Sequence, residues 1–296
     1  MFLLSIIIPF YNSEKTIGRT LDSLNRMSSV SKELTEVIII DDGSKDRAAK
    51  IVESKKEGLS PLTVVKIRQE NQGSAGARNT GLEHSSGEWI FFLDADDELA
   101  FDPIPYIQKF PDYSALGFPV QWVKESRKRR TVCPVFITLK NHLDVLTASN
   151  PFQPSNFIIK KELIKLPFDM SYMYLEDWIF WVDNPLIFKN IKIFKKEISA
   201  FIHIHGENKS SNYEKVGVYR ERVAEEIRAR YSKKLMQKQN NNLLIQAQIG
   251  LLLQGKKIKL KNFFRFPCDM KLYGKLVVYF VLKRNFSKFD IYGFKK

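Results

Sequence analysis

The sequence contains few cysteines and no long hydrophobic segment. Its two cysteines, Cys133 and Cys268, lie far apart and lack the CxxC spacing of a metal site. Two cysteines so placed cannot form a disulfide framework or a structural zinc site, which favours a reduced, cytosolic setting. Apolar runs stay well short of the about 18 residues that a membrane-spanning helix needs, so we expect no such helix.

Basic residues are unevenly distributed along the chain. The formal net charge is +14, but residues 233–296 hold 15 basic and two acidic residues, which gives +13 there. Residues 1–232 hold the remaining 32 basic and 31 acidic residues, or +1. The basic character therefore belongs to the C-terminal segment alone.

Short apolar runs alternate with amphipathic stretches over the first hundred residues. Such alternation is typical of strand–helix units around a mixed, mostly parallel sheet, and it predicts an α/β fold. Helices are predicted to begin near Lys15, Asp46 and Gly76, where Ser, Asp or Gly precedes each as a cap or turn. The predicted strands are Ser5–Pro9, Glu36–Ile40, Thr63–Arg68 and Trp89–Leu93.

Beyond residue 100 the hydrophobic periodicity is mixed. It predicts a hairpin made of a strand over Ala115–Val123, a basic turn over Lys124–Arg130 and a strand over Thr131–Phe136. A short strand is predicted over Asn156–Ile159. The aromatic segment Tyr174–Phe188 has the pattern of a helix.

The last third of the chain differs in composition from the rest. From Glu214 to Gln254 the pattern is helical and largely polar, and after Gly255 Lys and aromatic residues dominate. We therefore predict an α/β domain over residues 1–212 and a helical, basic C-terminal region over residues 213–296.

Polar motifs follow three predicted strands at the point where each strand ends. Tyr11-Asn12 follows the first strand, Asp41–Ser44 the second and Asp94–Asp97 the fourth. Open α/β sheets bind their ligands outside the carboxyl ends of the strands, so we expect these residues to surround one site. The Asp41–Ser44 segment is also the pattern of a tight turn with a helix cap.

The strongest signal is Asp94–Asp97, which ends an apolar strand. Carboxylates crowded in this way repel one another unless a cation lies among them. Mg²⁺ and Mn²⁺ prefer oxygen ligands, taking one or two from protein carboxylates and the rest from phosphate and water. The segment therefore favours a divalent metal ion beside a diphosphate. An acidic turn that caps the next helix is the alternative.

A glycine-rich element, Asn71–Asn79, leads into a helix and contains Gly73 and Gly76. Glycine permits close approach of the backbone to a ligand, and a helix N-terminus attracts phosphate. This pattern is common, so it gains weight only in combination with the other motifs.

Together these motifs resemble those of the family 2 glycosyltransferases of GT-A fold, over roughly residues 4–210. The resemblance implies a Rossmann-like domain that binds a nucleotide-sugar, usually a UDP-sugar, with Mn²⁺ or Mg²⁺ as cofactor. It also implies a transfer that inverts the configuration of the sugar carbon in one displacement. The matching segments are Ser5–Asn12, Ile40–Ser44, Gly73–Gly81 and Gly87–Asp97.

The resemblance further implies roles for individual residues. Asp42 would recognise the base, Asp94 would contact the ribose and Asp96 would bind the metal ion. The other residues expected to line the nucleotide pocket or contact the donor within these segments are Pro9, Tyr11, Asn12, Gly73 and Arg78.

Tyr174–Trp178 resembles the Glu-Asp motif of the same family on the acceptor side. We expect Asp177 to act as the general base, because the acceptor hydroxyl has to lose a proton as it attacks. Glu176 would orient Asp177 or bind acceptor hydroxyls. The alternative is an exposed acidic pair that interacts favourably with the helix dipole.

The segment His203–Ser210 has the spacing of the family's closing segment near the diphosphate. Neutral imidazole can complete a Mn²⁺ shell, so we expect His205 to bind the metal ion. Lys209 and Ser210 are expected to contact phosphate. A histidine with a purely structural role is the alternative.

Aromatic residues are interleaved with Lys and Arg from Phe263 onward. This mixture suits an anionic membrane surface, where each nearby basic residue adds about 1 kcal/mol. It also suits nucleic acid, but a domain that handles sugars and a lipid-linked acceptor favour the membrane. We therefore predict a cytoplasmic protein attached to the inner face of a bacterial cell membrane. A tail packed on its own domain, or on a second subunit of a homodimer, is the alternative.

The predicted reaction is transfer of a sugar from a UDP-sugar to a hydroxyl of a saccharide acceptor, lipid-linked, during synthesis of a surface polysaccharide such as a capsule. Two alternatives keep the fold: a nucleotidyltransferase, and a non-catalytic scaffold with a membrane-binding tail. Against the first, Pro9–Asn12 stands where a Gly-rich basic loop would follow the first strand. Against the second, a scaffold has no need of the mutually repelling carboxylates Asp94, Asp96 and Asp177.

Overall fold

The computed structural model describes residues 2–124, 127–132, 145–146, 150, 152–206 and 213–230. Contacts divide the chain into a first unit, Met1–His142 with Pro151–Ile204, and a second unit, Leu143–Asn150 with His205–Lys296. The domain boundary after residue 212 stays a prediction. No helix in the described ranges has both the length and the apolar character needed to cross a bilayer.

The strands of the first unit form two sheets. In chain order they are β1 (Leu4–Phe10), β2 (Thr35–Asp41), β3 (Thr63–Arg68), β4 (Trp89–Phe92), β5 (Glu98–Leu99), β6 (Ala115–Gly117), β7 (Val120–Lys124), β8 (Arg127–Val132), β9 (Phe157–Lys160), β10 (Ile191–Ile193) and β11 (Ala200–His203). The larger sheet has the order β10-β6-β9-β4-β1-β2-β3, and the smaller one the order β5-β11-β7-β8.

The larger sheet is mixed and mostly parallel. Only β9 runs antiparallel to its neighbours, β4 and β6, among the strand pairs described for this sheet. Every residue of β1 and β2 is buried, as in parallel strands covered on both faces. The predicted α/β architecture is confirmed.

The hairpin predicted after residue 115 differs from the observed structure. A single strand over Ala115–Val123 is wrong, because Pro119 has no N–H to donate to a ladder and the chain changes sheets there, from β6 to β7. The basic turn over Lys124–Arg130 is also wrong, since β8 begins at Arg127, opposite Lys124. As an edge strand, β8 tolerates the basic side chains that suggested a turn.

The helices also depart from the predictions at one point. The helix predicted over Tyr174–Phe188 is shorter, because Leu175 has a left-handed backbone (φ 61°) and Pro185 starts a separate 3₁₀ turn. The α-helices are α1 (Ile17–Ser23), α2 (Ser29–Glu33), α3 (Ala48–Lys56), α4 (Gly73–His84), α5 (Ile104–Lys109), α6 (Glu176–Asp183) and α7 (Tyr213–Arg230).

Helix α4 packs closely on β1 through a glycine. A Cβ at Gly81 would collide with Cγ2 of Ile7 and come within 3.0 Å of Cδ1 of Ile40. The missing side chain therefore brings α4 against β1 and β2. This contact fixes the direction in which the polar residues one turn earlier in α4 point.

Candidate active site

The acidic loop Asp94–Asp97 follows β4 and is held through its backbone. Thr20 of α1 donates its hydroxyl to the carbonyl of Ala95 (2.9 Å), and Arg19 donates to the carbonyl of Asp96 (2.7 Å). The carboxylates of Asp94 and Asp96 remain half-buried rather than enclosed. Helix α1 thus fixes the loop while its acidic side chains still reach the surface.

Asp97 is the buried member of this loop, with 5% of its surface exposed. Its Oδ1 accepts a hydrogen bond from the backbone N–H of His203 in β11 (3.0 Å). Burial, together with the charges of Asp96 and Asp94, raises the pKa of Asp97 well above its usual range. The fold therefore disfavours a third negative charge beside Asp94 and Asp96.

Asp42 is held at the N-terminus of α4. Its carboxylate accepts hydrogen bonds from the backbone N–H groups of Gln72 (2.8 Å) and Gly73 (2.9 Å) and from the side chain of Gln69 (2.9 Å). The helix end that we expected to face a phosphate thus already binds a carboxylate of the chain. These hydrogen bonds hold the Asp42 side chain in place. Its contact with a nucleotide base stays a prediction.

Asp41, the last residue of β2, has a cationic partner that the sequence analysis missed. Arg68 donates to Asp41 Oδ2 (2.7 Å) and to the carbonyl of Ser44 (2.9 Å). This ion pair follows from the parallel register of β2 and β3, which places Arg68 opposite Asp41. Arg68 fixes the turn between the strand end and α3.

The three residues expected to line the nucleotide pocket after β1 differ in accessibility. Pro9 is buried within the strand, whereas the ring of Tyr11 is 46% exposed. Asn12 has a left-handed backbone (φ 50°), and its side chain accepts a hydrogen bond from Lys45 N (2.8 Å). Its own N–H donates to Ser44 (3.0 Å). Tyr11 is the exposed side chain available for stacking.

The acidic pair at the start of α6 divides into an enclosed and a more open residue. Glu176 is 7% exposed, and its Oε1 accepts from Ser74 Oγ (2.5 Å) and from Arg78 (2.8 Å). Asp177 is half-buried and accepts from the backbone N–H of Trp178 (2.9 Å). This enclosure favours an orienting role for Glu176. Trp178 itself is buried, as expected of a core residue.

Arg78 connects the two acidic groups. Its Nη2 lies 2.7 Å from Asp94 Oδ1, and its Nη1 lies 2.8 Å from Glu176 Oε1. Burial alone would lower the pKa of Arg78, but the charges of Asp94, Glu176 and Asp177 raise it above its usual value. The guanidinium is therefore a permanent cation between the end of β4 and the start of α6.

The two histidines of the closing segment are placed differently. His203 contacts Glu98 through Nε2 (2.8 Å), and burial and the charge of Arg19 lower its pKa. This residue has a structural role beside the acidic loop. His205 belongs to the second unit, so its metal contact stays a prediction. Lys209 and Ser210 lie outside the described residues.

The donor atoms of the acidic loop fit a hard divalent cation. Asp94 and Asp96 offer carboxylate oxygens, of which Oδ1 of Asp94 is already paired with Arg78. Within the described ranges no group of three or more His, Cys, Asp and Glu side chains is arranged to hold a metal ion. A Mg²⁺ or Mn²⁺ ion at this loop would have to take most of its ligands from phosphate and water.

Comparison with known proteins identifies the chain. The model of the glycosyl transferase family 2 matches residues 5–134. An uncharacterized glycosyltransferase of Haemophilus influenzae is 29% identical over 229 residues, which are 74% of this chain and 86% of that protein. The chain thus carries a family 2 glycosyltransferase domain over residues 5–134. The nucleotidyltransferase and scaffold alternatives are therefore not retained.

Other relatives of the glycosyltransferase match over shorter segments. TarS of Staphylococcus aureus (strain Mu50), a poly(ribitol-phosphate) beta-N-acetylglucosaminyltransferase, is 37% identical over 99 residues, 33% of this chain and 17% of TarS. The glycosyltransferase spans between 16% and 37% of the length of seven such relatives.

Solved structures confirm the GT-A fold. The structure of S. aureus TarS 1–349 in complex with UDP-GlcNAc has a TM-score of 0.64 at 20% identity, covering 94% of the glycosyltransferase and 81% of that chain. The mannosyltransferase PcManGT of Pyrobaculum calidifontis, in complex with GDP-Man and Mn²⁺, has a TM-score of 0.59 at 16% identity, covering 95% and 82%. At these identities the likeness concerns the fold alone.

Proposed function

We propose that this glycosyltransferase moves a sugar from a UDP-sugar to a hydroxyl of a saccharide acceptor during synthesis of a surface polysaccharide. One observation carries the proposal: Arg78 joins Asp94, at the end of β4, to Glu176, beside Asp177 at the start of α6. A predicted donor group and a predicted acceptor group thus share one site. The UDP-GlcNAc complex of TarS supports the donor class, and the activity in that protein's name supports transfer of a sugar to a polymer.

The donor side comprises the residues at the carboxyl ends of β1, β2 and β4. Tyr11 offers an exposed ring to the base, and Asp42 and Asn12 shape the wall beside it. Asp94 would contact the ribose. Asp96 would hold Mg²⁺ or Mn²⁺, and an ion bound there would neutralise the charge that develops on the departing diphosphate.

The acceptor side comprises the first turn of α6. The acceptor oxygen forms a bond to the anomeric carbon while the bond from that carbon to the diphosphate oxygen breaks, which inverts the configuration. Asp177 takes the proton that the acceptor hydroxyl loses. Glu176, enclosed by Ser74 and Arg78, orients this turn.

The basic tail supplies the proposed location. The net charge of +13 over residues 233–296 suits the anionic inner face of a bacterial membrane, where a lipid-linked acceptor would lie. We assign the transferase chemistry to residues 1–212 and membrane attachment to residues 213–296. Packing of the tail on the catalytic domain or on a second copy of the chain is the competing possibility.

A donor panel tests the proposal. Purified protein is incubated with UDP-GlcNAc, UDP-glucose and UDP-galactose, with Mn²⁺ or with EDTA, and release of UDP is followed with and without saccharide acceptors. We expect Mn²⁺-dependent release with one donor and a product of increased mass. Absence of release with every donor, in folded protein, contradicts the proposal.

A further inference from the structure

Arg78 is fixed in place by contacts with the segment that leads into α6. Its guanidinium lies over the ring of Phe168, with Cζ 5.4 Å from the ring centre. The neighbouring Asn79 exchanges two hydrogen bonds with the backbone of Phe168, each 2.8 Å long. The ring of Phe168 stacks in turn on Phe180 of α6, with centroids 4.1 Å apart. Helix α4 therefore holds α6 through a continuous series of contacts.

The two ends of the guanidinium bind different parts of the fold. Nη2 pairs with Asp94, which is 34% exposed, and Nη1 pairs with the enclosed Glu176. Ser74, one turn earlier in α4, donates to the same oxygen of Glu176. Leu175, directly before the helix, has a left-handed backbone. The contacts of Glu176 with Ser74 and Arg78 hold the first turn of α6 against α4.

Arg78 is poorly placed to bind the donor directly. Only 5% of its side chain is exposed, and its Nε lies buried without a hydrogen-bond partner. Its terminal nitrogens are engaged with two carboxylates, and its face is covered by Phe168. A buried cation in this arrangement acts on the reaction through the carboxylates that it holds.

We propose that Arg78 is a positioning residue that sets the distance between the acidic loop at Asp94 and the base Asp177. The inference rests on the proposed function, because it assigns Asp177 the proton transfer. Catalysis by proximity requires the reacting groups to be held in a near-attack arrangement, and a misplacement of about 1 Å costs about 100-fold in rate. Arg78 provides the one cationic link described between the two sides of the site.

The experiment compares Arg78→Lys and Arg78→Gln with wild type, using UDP for calorimetry with Mn²⁺ and the donor panel for transfer. We expect kcat to fall about 10- to 100-fold in both variants. The KM for the donor and the Kd for UDP are expected to stay within about threefold of wild type. The reason is that the variants keep the contacts that bind the ground state and the transition state equally well. Arg78→Lys keeps the positive charge but loses the planar, two-pronged guanidinium. A fall of kcat in this variant therefore shows that the geometry of Arg78, and not its charge alone, is required.

A double variant tests whether Arg78 acts through the base. If it does, Arg78→Lys lowers kcat much less in an Asp177→Asn background than in wild type, because residues that act as a unit are not additive. Arg47→Lys is the matched control, since Arg47 is 81% exposed and pairs with Glu14 on the surface. Thermal melts of all variants verify folding.

The outcomes are distinct. A rise confined to the donor KM overturns the positioning role and makes Arg78 a donor ligand. Additive losses in the double variant, or wild-type kcat in Arg78→Lys and Arg78→Gln, also overturn it. A wild type that transfers no sugar contradicts the proposed function and removes the inference with it, whereas an active wild type with unaffected variants contradicts the inference alone.

Discussion

The carboxylate of Asp42 accepts a hydrogen bond from the backbone N–H of Gly73 at 2.9 Å. An acidic side chain thus occupies the N-terminus of α4, where free N–H groups would otherwise attract an anion. The glycine-rich entry to α4 serves the protein by accommodating this contact, with Gly73 in a left-handed conformation (φ 76°). The backbone N–H groups of Gln72 and Gly73 are therefore engaged by a carboxylate of the chain rather than open to a phosphate.

Removal of the Asp96 carboxylate should abolish metal-assisted binding. In Asp96→Asn we expect Mn²⁺ to lose its effect on UDP affinity, and transfer to fall by about 100-fold or more, because the charge on the leaving diphosphate is no longer neutralised. Calorimetry with UDP, with and without Mn²⁺, measures the first effect. Asp22→Asn is the control, since Asp22 is 61% exposed and pairs with Lys55 on the surface. Unchanged Mn²⁺ dependence would refute the assignment of Asp96.

Replacement of the base should impair chemistry rather than binding. Asp177→Asn is expected to lower kcat by about 100- to 10,000-fold, the range for loss of general base catalysis, with donor affinity little changed. Steady-state kinetics at saturating donor provide the measurement. Asp183→Asn, at the opposite end of α6, controls for loss of a helical carboxylate. A similar loss in both variants would point to a structural effect.

Asp97 should make stability depend on pH. Its folded-state pKa is raised, so its contribution to stability is present below the unfolded pKa and is lost as pH rises through the folded pKa. Asp97→Asn keeps an acceptor for the N–H of His203 and carries no charge. We therefore expect the Tm of Asp97→Asn, relative to wild type, to increase in EDTA as pH rises from the ordinary titration range of an aspartate through the raised pKa of Asp97. A pH-independent difference would contradict this account.

Close packing at Gly81 predicts a sensitive position. In Gly81→Ala the new methyl group collides with Ile7 and forces α4 away from β1, which we expect to cost about 1–3 kcal/mol of unfolding free energy. The displacement moves Arg78 and should lower kcat as well. Gly58→Ala is a matched control, because a Cβ there meets no atom within 4 Å. Denaturant titration of both variants measures the difference.

The basic tail predicts salt-sensitive membrane binding. The full chain should bind vesicles containing anionic lipid and not vesicles of neutral phosphatidylcholine, and binding should weaken as salt increases. A variant with four lysines replaced by Gln should lose most of this affinity. Sedimentation with vesicles reports it, and equal binding to both vesicle types would exclude the electrostatic attachment. The four lysines are Lys256, Lys257, Lys259 and Lys261.

Sequence periodicity predicted the parts of the fold that depend on local pattern. The strands around Ser5–Pro9 and Glu36–Ile40 are largely apolar runs, and polar motifs follow them, so the sheet edge could be located in advance. The strand break at Pro119 was missed because apolar residues on both sides of it read as one continuous strand. The strand β8 was missed because its basic residues suit an edge as well as a turn.

The contacts within the site depend on distant pairings that a local pattern does not contain. Glu176 and Arg78 are 98 residues apart, and their ion pair follows from the rotation of α4 on β1. The occupation of the α4 N-terminus by Asp42 likewise depends on how the loop after β3 folds back. The residue types at the site were predictable, whereas the partner of each carboxylate was not.

The position of β9 bears on how the chain is synthesised. This strand lies between β4 and β6 in the larger sheet, although it comes about 65 residues after β4 in the sequence. While a ribosome is still translating residues 100–156, one side of β4 has no strand to pair with, and an open apolar edge of this kind invites pairing with other nascent chains. Fragments that end before Phe157 should therefore aggregate, and chaperone demand should drop once Lys160 has emerged.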